Sequence, residues 1–367
     1  MYDNTIRWLV AAVIQTGEVS LTKWAKYVPC RGQYAQSRQR RIQRWLKNPR
    51  INVHRLYKPL IQGALSTWQD NCLYVSLDTT QFWDEYCLIR LAVVHRGRAL
   101  PQASRVLKHN SATVAISENL EMLIHAARCL PQGVTVILLA DRGFIHTAAM
   151  SALRRLGWHY RIRLKSTTWI WRSTGGWIQA KALHLSRGEV YCFHHVKLHK
   201  QQWYGPVHVI CGRNNLNGEL WVVVSDEPTT LQTFQEYGLR FDIEELFKDE
   251  QSSGWNLQTS EIRSDCALSR LGFILALATL YVTAQGVAGV ESGKRRWVDT
   301  HWFRGNSYFR IGMDWVQSAL RDGWQLIQQV LFSSSQDSHP AMASRKQHEK
   351  RWHRLEFQVF TVRFKPD

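Results

Sequence analysis

The seven cysteines, at 30, 72, 87, 129, 192, 211 and 266, are scattered, and no two form a Cys-x-x-Cys pair. An odd, unclustered set argues against a disulfide framework and a zinc ribbon, and it fits a reducing compartment. Acids are also scarce. The 367 residues carry 29 Asp and Glu against 47 Lys and Arg, a formal net charge of +18. Such a surplus points to a polyanionic partner, either nucleic acid or an anionic membrane surface. The opening stretch MYDNTIRWLVAAVIQTGEVS has a short apolar run preceded by an acid, so no secretory signal is expected. There is no internal repeat and no long low-complexity tract. A hydrophobic content of 45% excludes wholesale disorder. The length suits roughly two to three domains and a core that needs no staples.

Long uncharged runs are nearly absent too. The exception is LGFILALATLYVTAQGVAGV, residues 271–290. Its length could span a bilayer, but its second half is Thr, Ala, Gln and Gly, and Gln285 would sit in hydrocarbon. A helix apolar all round is equally a core helix of a larger domain, and no membrane association is expected.

Charge is concentrated at the start of the chain. Residues 1–60 hold 12 Lys and Arg and only Asp3 and Glu18 as acids. Leu21, Trp24, Ala25 and Val28 recur at helical spacing, with Ser20 as an N-cap and Pro29 past the end. In SRQRRIQRWLKNPRI, Ile42, Trp45 and Leu46 form an apolar stripe, while Arg38, Arg40, Arg41, Arg44 and Lys47 cover the rest. Two short helices of this kind resemble a helix-turn-helix whose basic member faces DNA. A solvated basic face on a helical bundle is the plainer alternative.

The middle of the chain alternates strand and helix signals. Strands are expected over 73–83, 86–96 and 99–107. A helix follows over 117–130, opened by Ser117 with Leu120, Leu123 and Ile124 on one side. A strongly apolar strand covers 134–141, then a helix 145–157 closed by Gly157, then a strand 158–165. This order predicts an α/β protein with a mixed sheet and helices packed on it. Residues 166–228, punctuated by STGG and NNLNGE, read as an all-β insertion. Helices return from 229, and 344–357 is a basic tail. The expected division is 1–68, a helical basic DNA-binding region; 69–165, core; 166–228, β-rich insertion; 229–330, core with C-terminal helices; and 331–367, tail.

Two aspartates end hydrophobic strands: Asp78 closes YVSLD and Asp141 closes VTVILLAD. Ligands of open α/β sheets collect at the carboxyl ends of strands, so two acids there can converge on one metal site. Either alone reads equally well as a turn residue or a helix cap. A third element is YGLRFDIEELFKDEQ, 237–251. Taken as one helix at about 100° per residue, it puts Tyr237, Arg240 and Glu244 on one stripe, with Leu239, Ile243 and Leu246 on the far side. A solvated charged face is the plainer reading of that stripe. The His-rich run 191–199 fits no standard zinc spacing and is explained by alternating strand residues.

Together VSLDTTQFW, LLADRGF and YGLRFDIEELFKD resemble the three blocks of DDE transposases of bacterial insertion sequences. They are most similar to family four, with the Tyr-Arg-Glu-Lys signature. The similarity runs over roughly residues 70 to 320 and includes the later SRLGFILALATLY and RGNSYFRIGMDW stretches. It implies a ribonuclease H-like core and a catalytic triad of Asp78, Asp141 and Glu244 holding two Mg²⁺ ions, for which Mn²⁺ substitutes. It also implies metal-dependent cleavage of transposon ends and strand transfer by in-line displacement. Tyr237 and Arg240 would grip the DNA backbone. Trp221 would stack on a flipped base, or simply pack at a strand start. The signature's lysine falls at Gln251, and Lys248 could supply the missing cation or pair with Glu244. The partners implied are double-stranded DNA, as terminal inverted repeats and target, and a second copy on DNA. The setting is the bacterial cytoplasm, at the nucleoid. A non-catalytic DNA-binding descendant is the alternative. A glycosidase using paired carboxylates would suit the tryptophans but not the charge.

Overall fold

The computed structural model describes residues 2–68, 72–173, 175–201, 203–215, 217–335 and 337–341, and the backbone of 362–364. The basic stretch 344–357 lies outside the described residues. Four helices open the chain: α1 (Tyr2–Thr16), α2 (Leu21–Trp24), α3 (Ala35–Leu46) and α4 (Val53–Ala64). Ser20 caps α2 by accepting from the Lys23 N–H, as its position predicts. The helix itself is a single turn, so the pair α2–α3 is shorter than a standard helix-turn-helix. Trp24, Val28, Ile42 and Leu46 are all buried and join the main core.

Among the described residues eleven strands form one sheet, in the order β3 (Arg98–Lys108), β2 (Tyr86–His95), β1 (Cys72–Phe82), β4 (Thr135–Ala140), β5 (His159–Arg163), β10 (Leu220–Ser225), β9 (Tyr204–Arg213), β8 (Val190–Leu198), β6 (Trp169–Arg172), β7 (Gly176–Gln179), with β11 (Val362–Phe364) beside β8. The first half is built as the alternating apolar runs dictate. Strands β1 (Cys72–Phe82), β2 (Tyr86–His95) and β3 (Arg98–Lys108) are an antiparallel meander. Helix α5 (Ile116–Ala127) then crosses over, so that β4 (Thr135–Ala140) pairs parallel to β1. Helix α6 (Thr147–Arg155) crosses again to β5 (His159–Arg163), parallel to β4. Gly157 ends that turn at φ +70, where a side chain would be strained. In α5 the buried positions are Asn119, Met122, Leu123 and Ala126, and Ile124 is 45% exposed. Of the expected stripe, Leu123 is buried and Leu120 half-buried while Ile124 faces out, and the helix opens from Ala115 rather than Ser117.

Residues 166–228 are β-rich: β6 (Trp169–Arg172), β7 (Gly176–Gln179), β8 (Val190–Leu198), β9 (Tyr204–Arg213) and β10 (Leu220–Ser225). These strands do not stand apart. Strand β10 pairs antiparallel with β5, so they prolong the same sheet. The His-rich run is β8, with a bulge at His195.

After β10 come α7 (Leu231–Gly238), a 3₁₀ turn (Leu239–Phe241), α8 (Asp242–Lys248) and a π-helical turn (Asp249–Ser253). The single helix expected over 237–251 is thus an irregular one. Helix α9 (Asp265–Glu291) holds the long uncharged run. It is long and apolar enough to cross a membrane, but 83% of its most apolar stretch is buried within the fold. It packs on β3, α1, α3, α4 and α10 (Tyr308–Asp322). Contacts on so many sides explain why no polar face was needed. Helices α9 and α10 cross backbone to backbone at Gly286 and Gly312.

Candidate active site

The parallel register of β1 and β4 ends at Leu77 opposite Ala140. The next residue on each chain is an aspartate, so Asp78 and Asp141 lie side by side where β4 stops; Asp78 does not close its strand as expected, because β1 runs on to Phe82 in its pairing with β2. Their strands are anchored by side chains with almost no exposure: Leu73, Val75, Leu138 and Leu139. Burying each contributes about 1.5–3 kcal/mol, which makes a slip of this register costly.

The third acid comes from the irregular helix laid over β1–β3. Polar pairs pin that helix to all three strands. Ser76 Oγ donates to the Arg240 carbonyl at 3.2 Å, and Gln251 Nε2 donates to Thr80 Oγ1 at 2.8 Å, both on β1. The buried Arg90 of β2 holds Glu250 at 2.5–2.6 Å. Arg98, opening β3, holds Glu245 at 2.8 Å. Ser76, Asp78 and Thr80 alternate along β1 and so share the face under the helix.

Arg240 joins the acids. Its Nη1 lies 2.9 Å from Asp78 Oδ2 and its Nη2 lies 3.1 Å from Glu244 Oε1. Tyr237 donates its hydroxyl to Asp141 Oδ1 at 3.5 Å. Burial raises the Asp78 carboxyl above the usual range. Arg240 and the Thr79 N–H pull it down, while Asp141 and Glu244 push it up. Asp78 therefore feels the charge of both other acids beside the Arg240 guanidinium. Burial opposes the charge of Arg240, but Tyr237, Asp78, Asp141 and Glu244 outweigh it.

Other expectations are revised by position. Tyr237 and Arg240 are not on a solvent face: they are 0% and 7% exposed, and the Arg240 fork is taken by carboxylates rather than phosphate. Trp221 is 2% exposed and packs edge-on to Tyr237 and Phe234, with Arg163 over its ring. Its position answers to strand packing and offers no open face for a base. Lys248 pairs at 2.8 Å with Glu245, one residue from the expected Glu244. On α3, Arg40, Arg44 and Lys47 are exposed, whereas Arg38 is half-buried. Arg41 is also half-buried, stacked on Trp8 and bonded to the Pro29 carbonyl. The roles of Arg240 as internal counter-ion and of Thr80 as partner of Gln251 were not foreseen. Helical spacing puts Arg240 one turn before Glu244, which is the signal that could have shown the first.

Among the described residues, the group of three whose ligand atoms all lie within 4.8 Å of one another is His159, Asp226 and Glu227. It is satisfied without an ion. Asp226 accepts from His159 at 2.8 Å and from the Tyr160 N–H, and Glu227 holds Arg161. It lies at the opposite end of β5 from the acid triad. The triad's oxygens are spread more widely than a single-ion cage.

The family described as transposase DDE domain matches residues 86–281, a span that includes Asp141 and Glu244 and begins after Asp78. No curated protein matches. Among solved structures, a piggyBac transposase in a synaptic complex with hairpin DNA matches at 8% identity and a TM-score of 0.42. The match covers 87% of this chain, and the chain spans 66% of the length of that one.

Proposed function

The chain belongs to the transposase DDE domain family, and from that membership we propose that it cuts and joins DNA at the ends of a mobile element. The observation that carries the proposal is the β1–β4 register, which sets Asp78 beside Asp141 while Arg240 links Asp78 to Glu244. The sheet order β3-β2-β1-β4-β5, with helices crossing between its parallel strands, supports a ribonuclease H-like core. The Tyr237, Arg240, Glu244 spacing supports placement in family four.

The donor set is all carboxylate oxygen, which suits Mg²⁺, a hard cation. The charge fits as well. Three acids crowd one guanidinium, and burial with mutual repulsion raises the Asp78 carboxyl. Two ions held about 3.5–4 Å apart would share the three carboxylates. Asp78, Asp141 and Glu244 would hold them. When bound, such ions activate a water or a DNA 3′-hydroxyl and stabilise the leaving oxygen in an in-line displacement at phosphorus.

The chain's own groups prepare that site. The Thr79 N–H fixes Asp78 Oδ1 at 2.8 Å, leaving Oδ2 to face Arg240. Arg240 offsets the repulsion among the acids and keeps the carboxylates oriented. The Tyr237 phenol is pushed up to about 12, chiefly by burial, so it stays protonated at neutral pH and remains a donor to Asp141. The exposed cations of α3 and the net charge of +18 supply attraction for duplex DNA. Pairing of two DNA ends by two copies, in a bacterial cytoplasm, completes the reading.

The test is cleavage of the inverted repeat flanking the gene, in Mg²⁺, by the wild type and by Asp141→Ala. The expected result is that the variant loses cleavage and keeps duplex binding. Binding without cleavage by the wild type would instead support the non-catalytic descendant.

A further inference from the structure

Residues 164–204 hold six Lys and Arg, four tryptophans and a single acid, Glu189. They build the far edge of the sheet, where β8 is followed by β6 and β7. One face of this edge belongs to the core. Ile170 stands between Ile178 on β7 and Leu198 on β8, and all three join the main cluster. The alternating residues turn to the other face. There Trp171 stands between Trp177 on β7 and Lys197 on β8, with Trp169 two residues earlier on β6. The β8–β9 loop brings Lys200 and Trp203 onto the same group.

These rings lie outside the core and are met by cations. Lys197 Nζ lies 4.2 Å from the centre of the Trp203 ring and 5.3 Å from that of Trp171, and Lys200 Nζ lies 3.5 Å from that of Trp169. Among the described residues neither lysine has a carboxylate within 4.0 Å. Trp203 is 58% exposed, while Trp169, Trp171 and Trp177 are half-buried. The positive charge is uncompensated, and aromatic surface stands open beside it.

This face is also the one that carries the acids. Ser76, two residues before Asp78, is in register with Leu139, Arg161, Ser225 and His208 in turn across the sheet. Val207 and Val209, on either side of His208, pair with Val196 and Phe193 on the core face, which leaves Lys197 on the face of His208. Strand β6 is five strands from β4, about 24 Å at about 4.8 Å per step. A ligand there is too distant to touch the acids.

We propose that this edge is a platform for an unpaired nucleic-acid strand, with a base stacked on Trp203 and backbone phosphates against Lys197 and Lys200. The proposal goes beyond the proposed function, which asks only for duplex DNA at the acids. Every base has a flat π face, so tryptophans interleaved with lysines hold a strand of any sequence. A lipid surface would select apolar tips standing clear of the cations, whereas here ammonium groups cap the rings.

The experiment uses the full chain in EDTA, an oligothymidylate of about 16 nucleotides and a duplex of about the same length, across roughly 50–200 mM salt. The wild type should bind the oligothymidylate. Trp203→Ala should weaken that binding about 5- to 140-fold, the loss of one stacked base, and leave the slope of log K against log salt unchanged. Trp203→Phe should keep most of the affinity. Lys197→Gln should lower the slope by about 0.7. Duplex binding should be the same in Trp203→Ala as in the wild type. An unchanged oligothymidylate affinity in Trp203→Ala, or an equal loss on the duplex, overturns the platform. Loss of binding to phosphatidylserine vesicles alone in the same variant overturns it in favour of a membrane surface. Asp141→Ala should bind the oligothymidylate as the wild type does. A wild type that cleaves the inverted repeat but does not bind the oligothymidylate sinks this inference alone. One that binds it through Trp203 and never cleaves keeps the platform and loses the enzymatic reading.

Discussion

A single methyl group added at Gly312 should be among the most damaging changes in the chain. A Cβ there would lie 2.6 Å from the carbonyl carbon of Val282 and 2.9 Å from the Gly286 nitrogen, with the Val282 oxygen nearer still. All of these are backbone atoms of α9, so no rotamer change relieves them. Carbon atoms pack at about 3.5–4.0 Å and the Val282 oxygen is nearer than its carbon, so the two helices must part by at least about 1 Å. A gap of that size forfeits at least about a quarter to a half of the dispersion energy along the crossing. Overpacking of a tight core costs about 1–3 kcal/mol, and a backbone-to-backbone clash belongs at or above the top of that range. Gly272→Ala, on α9, is the control. A Cβ there meets nothing within 4 Å, so the change should stabilise by about 0.5–1 kcal/mol through helix propensity. Urea unfolding followed by circular dichroism and tryptophan fluorescence compares the two. If Gly312→Ala unfolds within about 0.5 kcal/mol of the wild type, or no worse than Gly272→Ala, the helices do not cross where described.

Other consequences follow from buried polar groups and from Trp221. Glu250→Ala leaves Arg90 charged and unpaired in the core and should cost about 3–5 kcal/mol; Glu250→Leu with Arg90→Met should recover most of that loss in the same urea assay. The Asp249 carboxyl is pushed up to about 6, chiefly by burial, with Arg98 pulling it down and Glu245 and Glu250 pushing it further up. Its folded value exceeds the ordinary 3.8, so its share of stability is fully present below pH 3.8 and is lost as pH rises through 6. Asp249→Asn should therefore be more stable than the wild type at pH 7.5, by roughly 3 kcal/mol at most, and no more stable at pH 4. Trp221→Ala should cost about 3–5 kcal/mol of stability, whereas Trp221→Phe should leave DNA-end cleavage near normal. Cleavage lost in a fully stable Trp221→Phe protein would restore the base-stacking role.

The parts of the site that sequence made legible are those set by local chemistry. Two apolar runs reaching an aspartate announce themselves, although β1 continues past Asp78, and the Tyr237, Arg240, Glu244 spacing stands out although it crosses a 3₁₀ turn. Partners are harder to read. Nothing in LWVVVS says that it will pair with HYRIR, some 60 residues earlier, rather than close a separate β unit. Lys248 has two acids within helical reach, and only the turn geometry around α8 decides for Glu245. Trp221 looks identical in sequence whether it waits for a base or fills a gap under Phe234 and Tyr237. The all-round apolar run at 271–290 was ambiguous for the same reason, since composition does not say what covers it.

That run also has a history during synthesis. Until α10 packs onto α9, the strip around Gly286 that Tyr308 and Gly312 cover faces water. A chain in that state exposes an apolar rod long enough to cross a membrane. The helices before β1, already emerged, are its earliest shelter. A product cut short between Glu291 and Tyr308 would keep the rod and lose its lid, and should be found in the insoluble or membrane fraction.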